Sequence, residues 1–304
     1  MHAKSKTKLM KKYLPIYIMM LPGLLYIIFN NLIPLPGLIV AFKNYSAKLG
    51  IYGSPWAGLQ NFKYLFNHDV WYITRNTILY NIVFILVNTT LSIVVAIILS
   101  EMGSKVKKLY QSAILLPYLL STVIISYLVY AFLSTDQGLV NKILENFGGE
   151  AVSFYSEKAY WPFILVFVNA WKGVGYSCIV YLATVLGFDR AYYEAAAIDG
   201  ASKWQQIRYI TLPLLKGTVI MMTMLNIGRI FYSDFGLFYQ VPKNSGALYS
   251  VTNTIDTYVY RGLLENGSVN TSAAAGFYQS IVGFILVLGS NLLVRRKDPD
   301  SALF

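Results

Sequence analysis

Six apolar runs, each about long enough to cross a bilayer, constrain this chain more than any other feature. They cover roughly residues 13–33, 76–99, 111–133, 161–186, 212–231 and 273–294. A spanning helix needs about 20 apolar residues, and within the hydrocarbon every backbone N–H and C=O must be paired internally. The fold expected is therefore an all-α membrane protein with six transmembrane helices. Composition agrees, since 56% of the 304 residues are hydrophobic and only 13% are charged, too apolar for an ordinary soluble domain. The first run is too long for a secretion signal and lacks a small-residue cleavage site. Pro34 and Pro36 disrupt it at its end.

A net charge of +11 in a soluble protein would suggest a nucleic-acid partner. Here topology accounts for it. Six spans put both termini on one side, together with the 101–110 and 187–211 loops. That side carries fourteen Lys and Arg, against eight in the longer loops opposite. The positive-inside rule then places both termini in the cytoplasm. The chain divides into a basic N-terminus (1–12), a transmembrane domain (13–294) containing a cytoplasmic loop (187–211), and a cytoplasmic tail (295–304). No nucleic-acid partner is expected.

The residues offer little chemistry. The only histidines, His2 and His68, lie outside the spans, and the only cysteine, Cys178, lies inside an apolar run. No GxxxxGK[ST] loop is present to cradle a nucleotide. Asp298-Pro299-Asp300 reads as a solvated tail rather than a metal site. No catalytic residue, metal site or cofactor is expected on this chain, which reads as a non-enzymatic transporter subunit.

Charge at membrane depth is costly and faces protein or water. Lys172, beside Asn169, Trp171 and Tyr176, lies in the fourth run. Arg229, with Asn226, Tyr232 and Asp234, lies at the end of the fifth. Two readings stay open. The cations snorkel from helix ends, or the eight residues line a polar path for a hydroxyl-rich solute, with the aromatic rings as stacking surfaces.

Between the fourth and fifth runs sits EAAAIDGASKWQQIRYITLP, Glu194 to Pro213. Asp189 is a suitable N-cap for a first short helix, and Gly200 a suitable left-handed stop. Ser202 and Gln205 have capping-box spacing for a second helix, with Trp204 and Ile207 on one face. Pro213 falls near the first turn of the next run. The prediction is a structured helix–turn–helix.

Glu194-Ala195-Ala196, then Gly200, Ile210 and Leu212-Pro213 at fixed spacing, resembles the EAA loop of binding-protein-dependent ABC importer permeases. MMLPGLLYIIFN, AFKNYS, PWAGLQNFKYLF and the stretch from SDFGLFYQVPKNSG to TIDTYVYRGL look like the carbohydrate branch, and more narrowly the polysaccharide or lipoprotein-type permeases of Gram-positive bacteria. The resemblance implies the type I importer permease fold. Glu194, Ala195, Ala196, Asp199, Gly200, Ile210, Leu212 and Pro213 would form the coupling loop. It also implies a second homologous permease, two cytoplasmic ATPases that hold the ATP and Mg, and a lipid-anchored extracellular binding protein delivering an oligosaccharide or polysaccharide fragment. The segment 232–272 would meet that binding protein or simply cap the bundle, and turn chemistry in Pro242, Asn244, Ser245 and Gly246 suggests an exposed turn. A self-contained secondary transporter would need ion-coupling carboxylates and usually internal repeats, and neither is evident. A non-transporting scaffold remains open.

Overall fold

The computed structural model describes residues 2–297, so the Asp298-Pro299-Asp300 stretch and the rest of the tail lie outside the described residues. All named elements within 2–297 are helical, and the one extended contact is an isolated bridge between Lys43 and Trp56. α1 (His2–Ile27) runs on through a π turn and a 3-10 stretch, giving a first apolar segment of Tyr13–Phe42. α2 (Gln60–His68) leads into the long α3 (Val70–Glu101). α4 (Ser104–Leu119), α5 (Thr122–Leu133) and the short α6 (Leu139–Asn146) follow. α7 (Trp161–Leu186) is joined by α8 (Arg190–Ile198) and α9 (Lys203–Gln206) to α10 (Leu212–Ile227). α11 (Phe235–Gln240) and α12 (Ile255–Leu264) precede the last span, α13 (Val269–Lys297).

Five segments are single helices of spanning length and hydropathy. The run at 111–133 is not one straight span, because α4 and α5 meet at 95°. Pro117, in the last turn of α4, has no N–H to donate. Leu120 and Ser121 then adopt extended backbone, and the Ser121 hydroxyl caps α5 by accepting the Ile124 N–H at 3.3 Å. The fifth run also differs from the expected 212–231. Its apolar segment begins at Lys203 and ends at Ile227, and Pro213 lies in the first turn of α10, where it was expected. A π turn at Ile207–Thr211 precedes the proline, widening the helix where a proline ring would crowd the preceding turn.

Beyond Ile227 the chain unwinds, and side chains from other helices hold its peptide groups. Asn81 Nδ2 donates to the carbonyls of Ile230 and Tyr232 at 2.9 and 3.1 Å. Gln279 Nε2 donates to Phe231 O at 2.7 Å. Asp256 Oδ2 accepts both the Ser233 N–H and the Ser233 hydroxyl at 2.7 Å.

The core is built chiefly where α3 lies along α7. At one end Ala96, Leu99, Cys178, Tyr181, Leu182 and Leu215 pack together beneath α8 and α9. At the other, Tyr80, Phe84, Trp161 and Leu165 pack against Leu237, Phe238, Val241 and Leu248. The last four residues come from the 232–272 segment, which is thus a folded cap rooted in the core. The turn expected to be exposed at 242–246 is not. Pro242 is buried, and Asn244 Oδ1 accepts from Arg261 Nε at 2.7 Å, leaving Gly246 exposed. α1 contrasts with this, since its apolar side chains stand out from the bundle, Met19 at 81% exposure.

The α4–α7 crossing depends on Gly175, where an added Cβ would collide with the Ile114 carbonyl. Two residues earlier, a Cβ on Gly173 meets nothing closer than Asn88 Nδ2 at 3.5 Å. Gly175→Val should therefore cost about 1–3 kcal/mol or more of bundle stability, and Gly173→Ala far less. Thermal unfolding of the two detergent-purified variants checks this, and equal midpoints would contradict the close crossing.

Candidate functional site

Local chemistry makes α8 and α9 a rigid elbow. Asp189 Oδ1 accepts the Ala191 N–H at 3.0 Å and opens α8. At the other end Gly200 N–H donates to Ala197 O and Ala201 N–H to Ala196 O, at 3.1 and 2.9 Å. That pair of bonds is a Schellman stop, and Gly200 provides it with φ +78°, which only glycine adopts without steric cost. Ser202 then closes both halves of a capping box with Gln205. The turn from α8 into α9 is fixed by these bonds, with no mobile linker.

Two contacts tie the elbow to the bundle. Tyr193 and Thr211 share a hydroxyl hydrogen bond at 3.0 Å, bracing α8 against the π turn. Lys203 Nζ lies 2.9 Å from Glu101 Oε2, joining α9 to the end of α3. Both charged side chains are largely exposed, so the pair sets direction more than stability, contributing about 0–1 kcal/mol. A crevice of about 430 Å³ lies behind the elbow, lined by Glu101, Arg190, Tyr193, Glu194, Lys203 and Gln206 among others. Facing away from the bundle are Tyr192, Ala195 and Ile198, at a three-residue spacing that shares a helix face. Ile198 is 87% exposed and Trp204 68%. Asp199 and Gly200 are exposed at the corner, Ala196 is half-buried, and Ile210, Leu212 and Pro213 lie on the helix that leads back into the bundle.

The polar residues of the fourth and fifth runs fall into separate groups. Lys172 Nζ donates to Thr122 Oγ1 at 2.7 Å, in the first turn of α5 directly after the 95° bend. Tyr176, one turn further along α7, stacks on Tyr118 with centroids 4.6 Å apart. α11 also reaches this point, because a Cβ on Gly236 would touch the Thr122 side chain at 3.0 Å. Asp234 is the N-cap of α11, its Oδ1 accepting the Leu237 N–H at 3.1 Å. Asn169 instead accepts from Asn88 across the α3–α7 interface at 2.8 Å. Trp171, Asn226, Arg229 and Tyr232 are exposed, and no hydrogen bond among the described side chains brings Asn226 or Arg229 to Thr122. Lys172 thus bonds across the broken span.

Sequence reasoning missed Thr122, Asn81, Asn88, Asp256 and Gln279. Asn81 and Asn88 carried a signal, being amides seven residues apart in an apolar run and so on one helix face. Lys243 was also missed. It sits 3.5 Å from the Tyr127 ring centroid and donates to Ser126 at 3.3 Å, tying the cap to α5. Partial desolvation there pushes its pKa down.

Residues 88–298 match the family model of binding-protein-dependent transport system inner membrane components. The chain belongs to that family. It is the permease subunit of an ABC importer, a multi-pass protein of the cytoplasmic membrane. This permease is 32% identical to protein LplB of Bacillus subtilis, covering 94% of this chain and 90% of that one. It is also 32% identical to the polygalacturonan/rhamnogalacturonan transport system permease YteP of the same organism, covering 95% and 90%. A crystal structure of a bacterial ABC transporter involved in importing the acidic polysaccharide alginate contains a chain that superimposes with TM-score 0.87. That chain is 30% identical, with 96% of this permease and 99% of the other covered. A second structure of the alginate transporter, with a pentasaccharide-bound periplasmic protein, gives TM-score 0.85 at 30% identity and covers 95% of this permease and 96% of the matched chain. The six-span type I permease fold follows, with the bent α4–α5 pair as one span.

The elbow's rigidity is testable without transport. Ser202→Ala removes one capping bond at a cost of about 1 kcal/mol, so amides near 203–206 should exchange hydrogen several-fold faster. Unchanged protection there would show that the capping box does not hold the turn.

Proposed function

We propose that this permease pairs with a second, homologous permease and two cytoplasmic ATPases to import an oligosaccharide or polysaccharide fragment, delivered by an extracellular lipid-anchored binding protein. The observation that carries the coupling reading is the elbow. It is rigid by its own hydrogen bonds, braced to α3 and α10, and presents Tyr192, Ala195 and Ile198 outward. An exposed apolar side chain such as Ile198 at a fixed corner suits docking into a groove of another protein. ATP and Mg would sit on the ATPases, whose closure would push the elbow and rock the spans between inward and outward access.

Orientation follows from charge, with the elbow and both termini in the cytoplasm. The carbohydrate class draws on the relatives, among them permeases named for polygalacturonan/rhamnogalacturonan and a transporter of alginate. The Bacillus relatives favour a Gram-positive membrane. The exposed apolar length of Tyr13–Phe42 suits contact with lipid and with the second permease. Lys172, Thr122 and the Tyr118–Tyr176 stack, at the broken span, are the part of the solute path that the geometry supports best.

Purification of a tagged permease from its native membrane should recover a second permease, an ATPase and a binding protein, with ATP hydrolysis stimulated by one glycan. Recovery of the chain alone, in a detergent that preserves such complexes, would contradict the importer assembly. Glu194→Lys and Gly200→Asp should abolish uptake while the subunit remains in the membrane. Normal uptake by the Gly200→Asp complex with unchanged ATP hydrolysis would remove the coupling role.

A further inference from the structure

At the cap end of the bundle, opposite the elbow, a polar cavity of about 260 Å³ opens between α12 and the first turns of α3 and α13. It is slightly smaller than the ~300–1,000 Å³ of drug-sized sites, which suits a single ring. Tyr64, Asp69, Tyr72, Tyr258, Arg261 and Asn266 line it, and none belongs to the polar path proposed above.

Arg261 makes this cavity unusual. It is only 4% exposed, Nε donates to Asn244 Oδ1 at 2.7 Å, and Nη1 donates to Asn253 Oδ1 at 2.6 Å. Its guanidinium lies 4.1 Å from the Tyr249 ring centroid. Nη2 has no partner. Among the described residues the one ion pair within 4.0 Å is Lys203–Glu101, so this guanidinium is buried without a carboxylate at contact distance. Burial pushes its pKa down, while nearby Tyr249 and Glu265 act to hold the proton. A buried donor left without an acceptor is costly in a folded protein.

The same lining supplies the complementary group, because the Asp69 carboxylate stands beside Tyr72 and Tyr258. The cavity is thus lined by a guanidinium with an unpaired donor, an acceptor carboxylate and tyrosine rings. A hydroxyl both donates and accepts, so a polyol suits both charged groups. An anion has acceptors only and would face Asp69. A second polar cavity of about 460 Å³ adjoins the first through Tyr64, Ser268 and Thr271, and adds the amides of Asn44, Gln60, Asn61 and Asn270.

We propose that these two joined cavities form a glycan subsite at the outer end of the permease, the deeper one taking one saccharide ring and the shallower one its neighbour. The proposal rests on the carbohydrate reading above and adds where a glycan chain is held apart from the polar path.

Saturation-transfer NMR on the purified importer complex, with the binding protein omitted, tests it using methyl glucoside, methyl glucuronate and sulfate as probes. Arg261 is left intact, because Asn244 and Asn253 depend on it. Asn266→Trp blocks the mouth from an exposed position, and Tyr64→Ala removes the ring shared by both cavities. Transfer to a sugar probe should fall at least fivefold in each variant, with sulfate failing to displace the sugar. Transfer that is absent, unchanged in both variants, or abolished by sulfate would overturn the subsite. ATP hydrolysis by the complete importer is read in parallel. Glycan-stimulated hydrolysis without cavity-dependent transfer removes the subsite alone. Cavity-dependent transfer with no glycan stimulating hydrolysis supports the subsite and removes the import reading.

Discussion

Every interruption of a helix within this bundle must find partners for peptide groups that hydrocarbon will not solvate. That constraint organises the molecule. The unwound turn after α10 exists because Asn81 takes the Ile230 and Tyr232 carbonyls, Gln279 takes Phe231, and Asp256 takes Ser233. These clamps come from α3, α12 and α13, so the break also locks the cap onto the spans. The bend between α4 and α5 obeys the same rule, through the Ser121 cap and the Lys172–Thr122 bond. Polar groups at depth here are structural first, and the irregular backbone they stabilise is where a polar route can open.

The elbow obeys a different constraint, since water satisfies exposed peptides at that end. Its stiffness comes from a Schellman stop followed immediately by a capping box, two motifs that leave the turn little freedom. α9 then continues through the π turn into α10 as one apolar segment, Lys203–Ile227. That segment ends at the clamped break. Elbow, π turn, span and clamped break thus follow one another along the chain.

The sequence was most legible where local chemistry decides. The caps at Asp189 and Ser202, the left-handed Gly200 and the bounds of α7 follow from residue types at fixed spacing. Long-range structure was not legible in the same way. The spacing of Asn81 and Asn88 marks a polar helix face but not what it binds, because the partners of Asn81 lie about 150 residues away. The turn at 242–246 was misjudged for a related reason. Pro242 and Asn244 have turn chemistry, yet burial of Val241 and the bond to Arg261 turn that stretch inward. For Lys172 the snorkelling and polar-path readings both stayed open, because Thr122, its partner across the bend, is visible only once the third run is broken.

The central claim is that the elbow transmits ATPase movement, and cysteine crosslinking tests it most directly. Cys178 is buried and is the only cysteine of the chain, so Ile198→Cys in a Cys178→Ala background places one accessible thiol at the corner. The account predicts a short-linker crosslink from residue 198 to the ATPase in the purified complex, with a yield that changes when non-hydrolysable ATP is added. A thiol at 198 that labels freely and never joins the ATPase, in a complex that still imports its solute, would contradict it.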